Sequence, residues 1–134
     1  MQITIGKLAS AGGVGVETVR YYQRRGLMAT PVRSGGERWG GGIRRYGADD
    51  LRRLRFIRSA QAAGFTLDEI SDLLALEESN DRASVRRLAR QRIDALDAKI
   101  AQMTETRAVL ARLADQCAAS DTGPCPILTA FEPY

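Results

Sequence analysis

The only two thiols in the 134-residue sequence are Cys117 and Cys125, and the chain contains no histidine. Seven residues separate the cysteines, and the second begins a Cys125-Pro126 step. Two thiolates at opposite ends of a short loop suit a soft ion that takes linear coordination, such as Cu(I), Ag(I), Au(I) or Hg(II). They suit zinc poorly, because it takes four ligands. Thiol oxidation is the competing chemistry. A structural disulfide ranks below both, since the chain is expected in a reducing cytosol. The missing histidine removes the commonest general base and the commonest neutral metal ligand, so no catalytic constellation is in view and an enzyme is not expected.

The charge distribution points to a second chemistry. Residues 1–60 hold twelve Lys and Arg against four Asp and Glu, whereas residues 61–134 hold eight against twelve. A basic half and an acidic half direct the first toward a polyanion. There is no apolar run resembling a leader and no stretch of about eighteen apolar residues, so a soluble, cytoplasmic protein is expected.

These groups need elements to position them. Thr4 caps a short helix with Ile5 and Leu8 facing inward, and Gly12-Gly13-Val14-Gly15 supplies a turn. A second helix is expected from about Val16 to Arg25, with Val16, Val19 and Tyr22 or Gln23 inward and Gly26 as its stop. Two short helices across such a turn read as a helix-turn-helix, whose second helix enters the major groove. Its outer face carries Glu17, Thr18, Arg20, Tyr21, Arg24 and Arg25, groups that bond base edges and phosphates. A glycine-rich hairpin comes next, with Arg38 and Trp39 near its tip and the return strand Ile43-Arg44-Arg45-Tyr46, a basic β-wing suited to the DNA backbone.

A third helix is expected from a cap at Asp49 to Ala63, burying Leu51, Leu54, Phe56, Ile57 and Ala60 and turning Arg52, Arg53, Arg55 and Arg58 outward. A fourth opens with the capping box Thr66-Leu67-Asp68-Glu69, with Phe65 stapled back onto Ile70, and carries Ile70, Leu73, Leu74 and Leu76. Residues 77–81 form a polar link, and Asn80 or Asp81 caps the fifth helix. From Arg82 to Cys117 there is neither glycine nor proline, which predicts one helix of roughly 50 Å. Along it Ile93, Leu96, Ile100, Met103, Leu110 and Cys117 fall on a three-four repeat completed by Arg107 and Ala114, a seam that asks for a partner helix and predicts a homodimer. The expected organisation is a DNA-binding head over 1–76, a link over 77–81, a dimerisation helix over 82–117, and an effector loop with the tail over 118–134.

The sequence closely resembles the MerR family of bacterial transcription regulators, in particular its metal-responsive, mercury- and copper-type branch. The resemblance is carried by Ile5-Gly6-Lys7-Leu8-Ala9, Val16-Glu17-Thr18-Val19-Arg20-Tyr21-Tyr22, Gly26-Leu27, Ile43-Arg44-Arg45-Tyr46, Leu54-Arg55-Phe56-Ile57, Ala60-Gln61 and Gly64-Phe65-Thr66-Leu67-Asp68-Glu69-Ile70. It implies a mainly α fold: a winged helix-turn-helix head with a small β-wing, a long C-terminal helix pairing as an antiparallel coiled coil, and a short cysteine-containing loop. It also implies binding to a promoter that is bent and untwisted when an effector binds, so that RNA polymerase can use it. On this reading Thr18, Arg20 and Tyr21 lie at the groove, with Glu17 and Arg24 beside them, and Arg44, Arg45 and Tyr46 belong to the wing contact. One departure is the length of the stretch between Gly26 and Ile43, where Trp39 is expected to pack on the base of the wing rather than extend the phosphate contact.

The resemblance also bears on the thiols. Metal sensors of this family carry a similar C-terminal cysteine pair, and a seven-residue spacer resembles the copper and silver sensors, the mercury sensors having one residue more. The position at which several of them place a third cysteine, contributed by the partner subunit, falls on Arg82. A three-thiolate site is therefore not expected. Two thiolates holding a monovalent ion carry one negative charge, which Arg82 of the partner subunit would offset, while the same pair holding Hg(II) is neutral. Both Hg(II) and Cu(I)/Ag(I) remain open as effectors. A regulator of the same type responding to thiol oxidation or a non-metal effector is the alternative; an iron–sulfur version would need four cysteines.

Overall fold

A computed structural model describes residues 2–34 and 43–131. The tip of the wing, with Arg38 and Trp39, lies outside the described residues, and so does the packing expected for Trp39. The elements in chain order are α1 (Ile5–Ala11), α2 (Val16–Arg24), β1 (Arg33–Ser34), β2 (Ile43–Arg44), α3 (Ala48–Ala62), α4 (Leu67–Ser79), α5 (Arg82–Ala118) and α6 (Pro126–Ala130). The chain divides into two units, residues 1–88 and 89–134.

In the first unit, helix α1 begins where the Thr4 hydroxyl accepts from the Lys7 amide at 3.3 Å, and it buries Leu8 and Ala9. Helix α2 buries Val19 and Tyr22. It ends in a paired cap: the Leu27 N–H reaches the Tyr22 carbonyl at 2.9 Å, and the Gly26 N–H reaches Gln23 at 3.1 Å. That closure needs Gly26 in the left-handed region, at φ +75°, where a side chain would be strained. Strands β1 and β2 pair antiparallel with Arg33 opposite Arg44, and an isolated bridge joins Ile3 to Tyr46.

Helix α3 starts one residue before its expected cap. The Gly47 N–H donates to Asp50 Oδ2 at 2.8 Å, and Asp49 lies in the first turn and pairs with Arg52 at 2.9 Å. Phe56, expected inside, is 41% exposed. Leu54 and Ile57 define the inner stripe, and two positions beyond Leu54 turn the side chain by about 200°, onto the outer flank. Arg53, expected outward, is half-buried and donates to the Leu27 carbonyl at 3.3 Å.

Helix α4 has both halves of its capping box: Glu69 N–H to Thr66 Oγ1 at 3.1 Å, and Thr66 N–H to Glu69 Oε1 at 2.9 Å. Phe65, just before the cap, packs against the core cluster that contains Ile70. The helix continues through Glu77, Glu78 and Ser79, so the polar link expected over 77–81 narrows to Asn80 and Asp81. Asp81 caps α5, accepting from the Ser84 amide at 3.1 Å and the Ser84 hydroxyl at 2.7 Å. The hydroxyl and then the amide of Ser84 hold its carboxyl below the usual carboxylate range. Leu8, Val19, Tyr22, Tyr46, Leu54, Ile57 and Ile70 form the solvent-free centre of this unit.

The second unit holds the long helix from Ala89 onward and a short one, and these frame the cysteines. Helix α5 is 37 residues long, about 55 Å, and contains no buried residue. Its seam stands in the open: Ile93, Leu96, Ile100, Met103 and Leu110 are all exposed, Met103 by 64%. The segment after Cys117, expected as a loop, contains helix α6, which Pro126 starts from its first turn with Cys125 at the N-cap.

Candidate nucleic-acid interface and thiol pair

Positions 17, 20, 21 and 24 share one stripe of α2, opposite the stripe that buries Val19 and Tyr22, so the core contact of this helix determines which side chains face outward. Arg20 Nη1 lies 3.0 Å from Glu17 Oε1 on the exposed surface. Tyr21 is 41% exposed, and the guanidinium carbons of Arg24 and Arg25 each lie 5.9 Å from its ring centroid. Thr18 is half-buried. Arg25 is engaged within the fold: Nη1 donates to the Tyr21 hydroxyl at 3.0 Å and Nη2 to Asp68 Oδ1 at 2.8 Å, tying the end of α2 to the first turn of α4. The Arg25–Asp68 tie is not legible in the sequence. Its partners are 43 positions apart, and no local spacing announces them.

Arg44 and Arg45 are exposed at the return strand. Tyr46, expected beside them in the DNA contact, is instead 1% exposed and belongs to the core. Its backbone makes two 2.8 Å hydrogen bonds with Ile3, and its hydroxyl accepts from Gln23 Nε2 at 2.9 Å. The bridge to Ile3 pins the backbone, and the ring is committed to supporting α2 from behind. A second such support is the Tyr22 hydroxyl, which donates to Gln61 Oε1.

In the second unit the Cys117 and Cys125 sulfurs lie 3.6 Å apart, and both side chains are partly exposed. The Leu128 amide is the main influence holding the Cys125 thiol below its ordinary pKa, assisted by the Cys117 thiol and the Ile127 amide. Cys117 is pushed up, first by its hydrogen bond to Cys125 and then by that neighbour's charge. The first proton lost from the pair therefore leaves its charge on Cys125, at the start of α6, and the Cys117 thiol then donates to it. Among the described residues no group of three or more His, Cys, Asp or Glu is placed to hold a metal ion. The pair by itself supplies two soft donors, fewer than the four that tetrahedral zinc takes.

A helix-turn-helix with a basic, aromatic outer face, a two-stranded wing and a long helix with an exposed seam together define a DNA-binding transcription regulator. Residues 3–77 match the MerR HTH family regulatory proteins, and residues 51–113 match a second profile described as MerR, DNA binding. The chain is 40% identical over 131 residues to a mercuric resistance operon regulatory protein of Pseudomonas fluorescens, covering 97% of this chain and 88% of that one. It is 38% identical over 128 residues to the transcriptional regulator HmrR of Rhizobium leguminosarum bv. viciae, covering 94% and 95%. Among solved structures, PbrR691 from Ralstonia metallidurans CH34 in complex with lead(II) superposes with a TM-score of 0.73 at 32% identity, covering 97% of this chain and 99% of that one. The chain belongs to the MerR family.

Proposed function

We propose that this protein is a metal-responsive activator in which a thiophilic ion, Hg(II) or Cu(I)/Ag(I), held by Cys117 and Cys125, makes a bound dimer distort its promoter. The observation that carries the reading is the contact between the two thiols, which brings two soft donors together at the end of the long helix. The names of relatives support it, since they include mercury-resistance and heavy-metal-dependent regulators. Glu17, Thr18, Arg20, Tyr21 and Arg24 meet the major groove, and Arg44 and Arg45 hold flanking phosphates. RNA polymerase is reached through the altered DNA.

Two copies pair along the α5 seam, and charge favours antiparallel pairing. Residues 82–93 contain five arginines and no acidic residue, whereas the remainder of the helix is nearly balanced, with Asp94, Asp97, Glu105 and Asp115 against Lys99, Arg107 and Arg112. Antiparallel pairing keeps the two five-arginine ends apart; parallel pairing would stack arginine on arginine. In that arrangement Arg82 of the partner subunit comes near the thiol pair and offsets the charge of a site holding a monovalent ion. The bound ion would supply two strong metal–sulfur bonds that couple the loop to the pairing helix.

Transcription in vitro from the cognate promoter with Hg(II), Ag(I), Cu(I) and Zn(II) tests the reading. Activation by the soft ions should be lost in Cys117→Ser and in Cys125→Ser, with promoter binding retained. Tight zinc binding together with silence toward the soft ions would overturn it, as would a full metal response in either serine variant.

A further inference from the structure

We propose that Cys117 and Cys125 also act as a chelating dithiol for monosubstituted trivalent arsenicals, R–As(OH)2, in which arsenic takes two sulfurs at a bent centre and carries its own third substituent. The inference shares with the proposed function only the assignment of the two cysteines to one ligand-binding pair.

The two sulfurs, in hydrogen-bond contact, are close enough to share one bent centre. With sulfur about 2.3 Å from the bound atom, two thiolates stand about 4.6 Å apart across a linear centre and about 3.8 Å apart across a tetrahedral angle. The observed 3.6 Å lies at the bent end of this range. A pyramidal atom can therefore take both sulfurs with little change in their separation. The number of donors decides the rest. Inorganic arsenite would seek a third thiolate, and no group of three metal-ligating side chains is present among the described residues. An arsenical with one organic group asks for two sulfurs only.

The surroundings suit that class. The Thr129 amide and hydroxyl both donate to the Cys125 carbonyl at 3.0 Å, fixing the Cys125 backbone on α6. Ser120 and Thr122 are joined by hydrogen bonds of 3.1 and 3.2 Å within the intervening loop, so the spacing of the pair is held by local structure. Leu128 and Phe131, three and six residues beyond Cys125, are 71% and 69% exposed and offer apolar surface on the same short segment for an organic substituent.

The reaction is an exchange without redox change. Each As–O bond breaks as an As–S bond forms, each thiol proton leaves with a hydroxyl as water, and arsenic stays trivalent: R–As(OH)2 and two thiols give R–As(S)2 and two waters.

The test uses the full, reduced protein with phenylarsine oxide at one equivalent per chain, read by intact mass under denaturing conditions and by free-thiol count. The expected result is one phenylarsenic group per chain with both thiols lost. A dithiol such as 2,3-dimercaptopropanol should reverse it, and a monothiol at the same concentration should not. Cys117→Ser and Cys125→Ser should each retain the group at least about a hundredfold more weakly, the advantage that a tethered second bond confers. Loss of one thiol only, an adduct that survives in either serine variant, or arsenic shared between two chains would overturn the inference. Ag(I) and Hg(II) titrated in parallel separate the two claims: metal binding without an arsenical adduct refutes this inference alone, and an adduct without metal binding refutes the proposed function alone.

Discussion

Gly12→Ala should destabilise the first unit through a single contact. A Cβ built at Gly12 would lie 2.8 Å from Leu54 Cγ and closer still to Cδ2. Carbon atoms rest about 3.5–4.0 Å apart, so the overlap is about 1 Å. Leu54 is fully buried in the core and has no open side to swing into, so either its side chain leaves its rotamer or the α1–α2 turn shifts. Overpacking of this kind costs about 1–3 kcal/mol. Loss of glycine's freedom in the unfolded chain returns about 0.4–1 kcal/mol. The net loss is about 1–2 kcal/mol, or a melting temperature lower by about 4–15 °C for a unit of this size. The assay is thermal unfolding followed by circular dichroism at fixed protomer concentration, because pairing makes the midpoint concentration-dependent. Gly15→Ala is the control for contact: nothing lies within 4 Å of its Cβ and its φ is −83°, so the change should cost only the N-cap preference for glycine over alanine, below about 1 kcal/mol. Gly13→Ala separates conformation from contact, having the same free space but φ +72°, and should cost about 1–2 kcal/mol. Leu54→Ala combined with Gly12→Ala should be less destabilised than the sum of the two by at least about 0.5 kcal/mol. Additive losses in that pair, or equal losses at positions 12 and 15, would refute the steric account.

Tyr46→Phe should lower stability by about 1 kcal/mol by removing the acceptor of Gln23, and should leave DNA affinity unchanged. Arg44→Ala and Arg45→Ala should do the reverse, each reducing the slope of log affinity against log salt by about 1 in a binding titration. Ile100→Glu places a charge on the exposed seam of α5 and should weaken pairing at least tenfold in sedimentation, with the helical signal of the first unit retained; an unchanged association constant would exclude this face as the pairing surface. Because the folded-state pKa of Cys125 is lowered and that of Cys117 raised, alkylation of the reduced protein at rising pH should label Cys125 first, beginning below the ordinary thiol range, and Cys117 later. The linked stabilisation from Cys125 is present above the pKa it has unfolded and is lost as pH falls through its lower folded value; labelling in the opposite order would contradict the assigned charge.

Where the sequence reading and the structure agree, the chemistry is local. Thr4 and the Thr66–Glu69 box cap helices because each needs only a side chain and an amide three residues away. Gly26 ends α2 because only its own backbone must turn left-handed. The absence of glycine and proline from Arg82 to Cys117 is sufficient to expect α5, and its seam is legible as a period. The misreadings have equally local causes. Asp49 and Asp50 both suit the neighbourhood of a cap, and only the Gly47 geometry selects Asp50, in the first turn of the helix. Helix α6 is five residues long, too short for a period to emerge, and Pro126 is its one signal.

Tyr46 and Phe56 show the other limit. A tyrosine after two arginines reads as part of a DNA contact, and a phenylalanine beside Leu54 and Ile57 reads as core; a bridge to Ile3 reverses the first and a rotation about the helix axis reverses the second. Composition, caps and periodicity act within a few residues, so the residue order alone specifies five of the helices, the basic stripe of α2 and a complement of two thiols. Three relations come from the folded chain instead: Arg25 is tied to Asp68, Tyr46 supports α2 from inside, and Cys117 and Cys125 stand 3.6 Å apart. The first two depend on where the chain returns to itself. The sulfur separation depends on how the short loop and α6 close, which no spacing of residue types specifies.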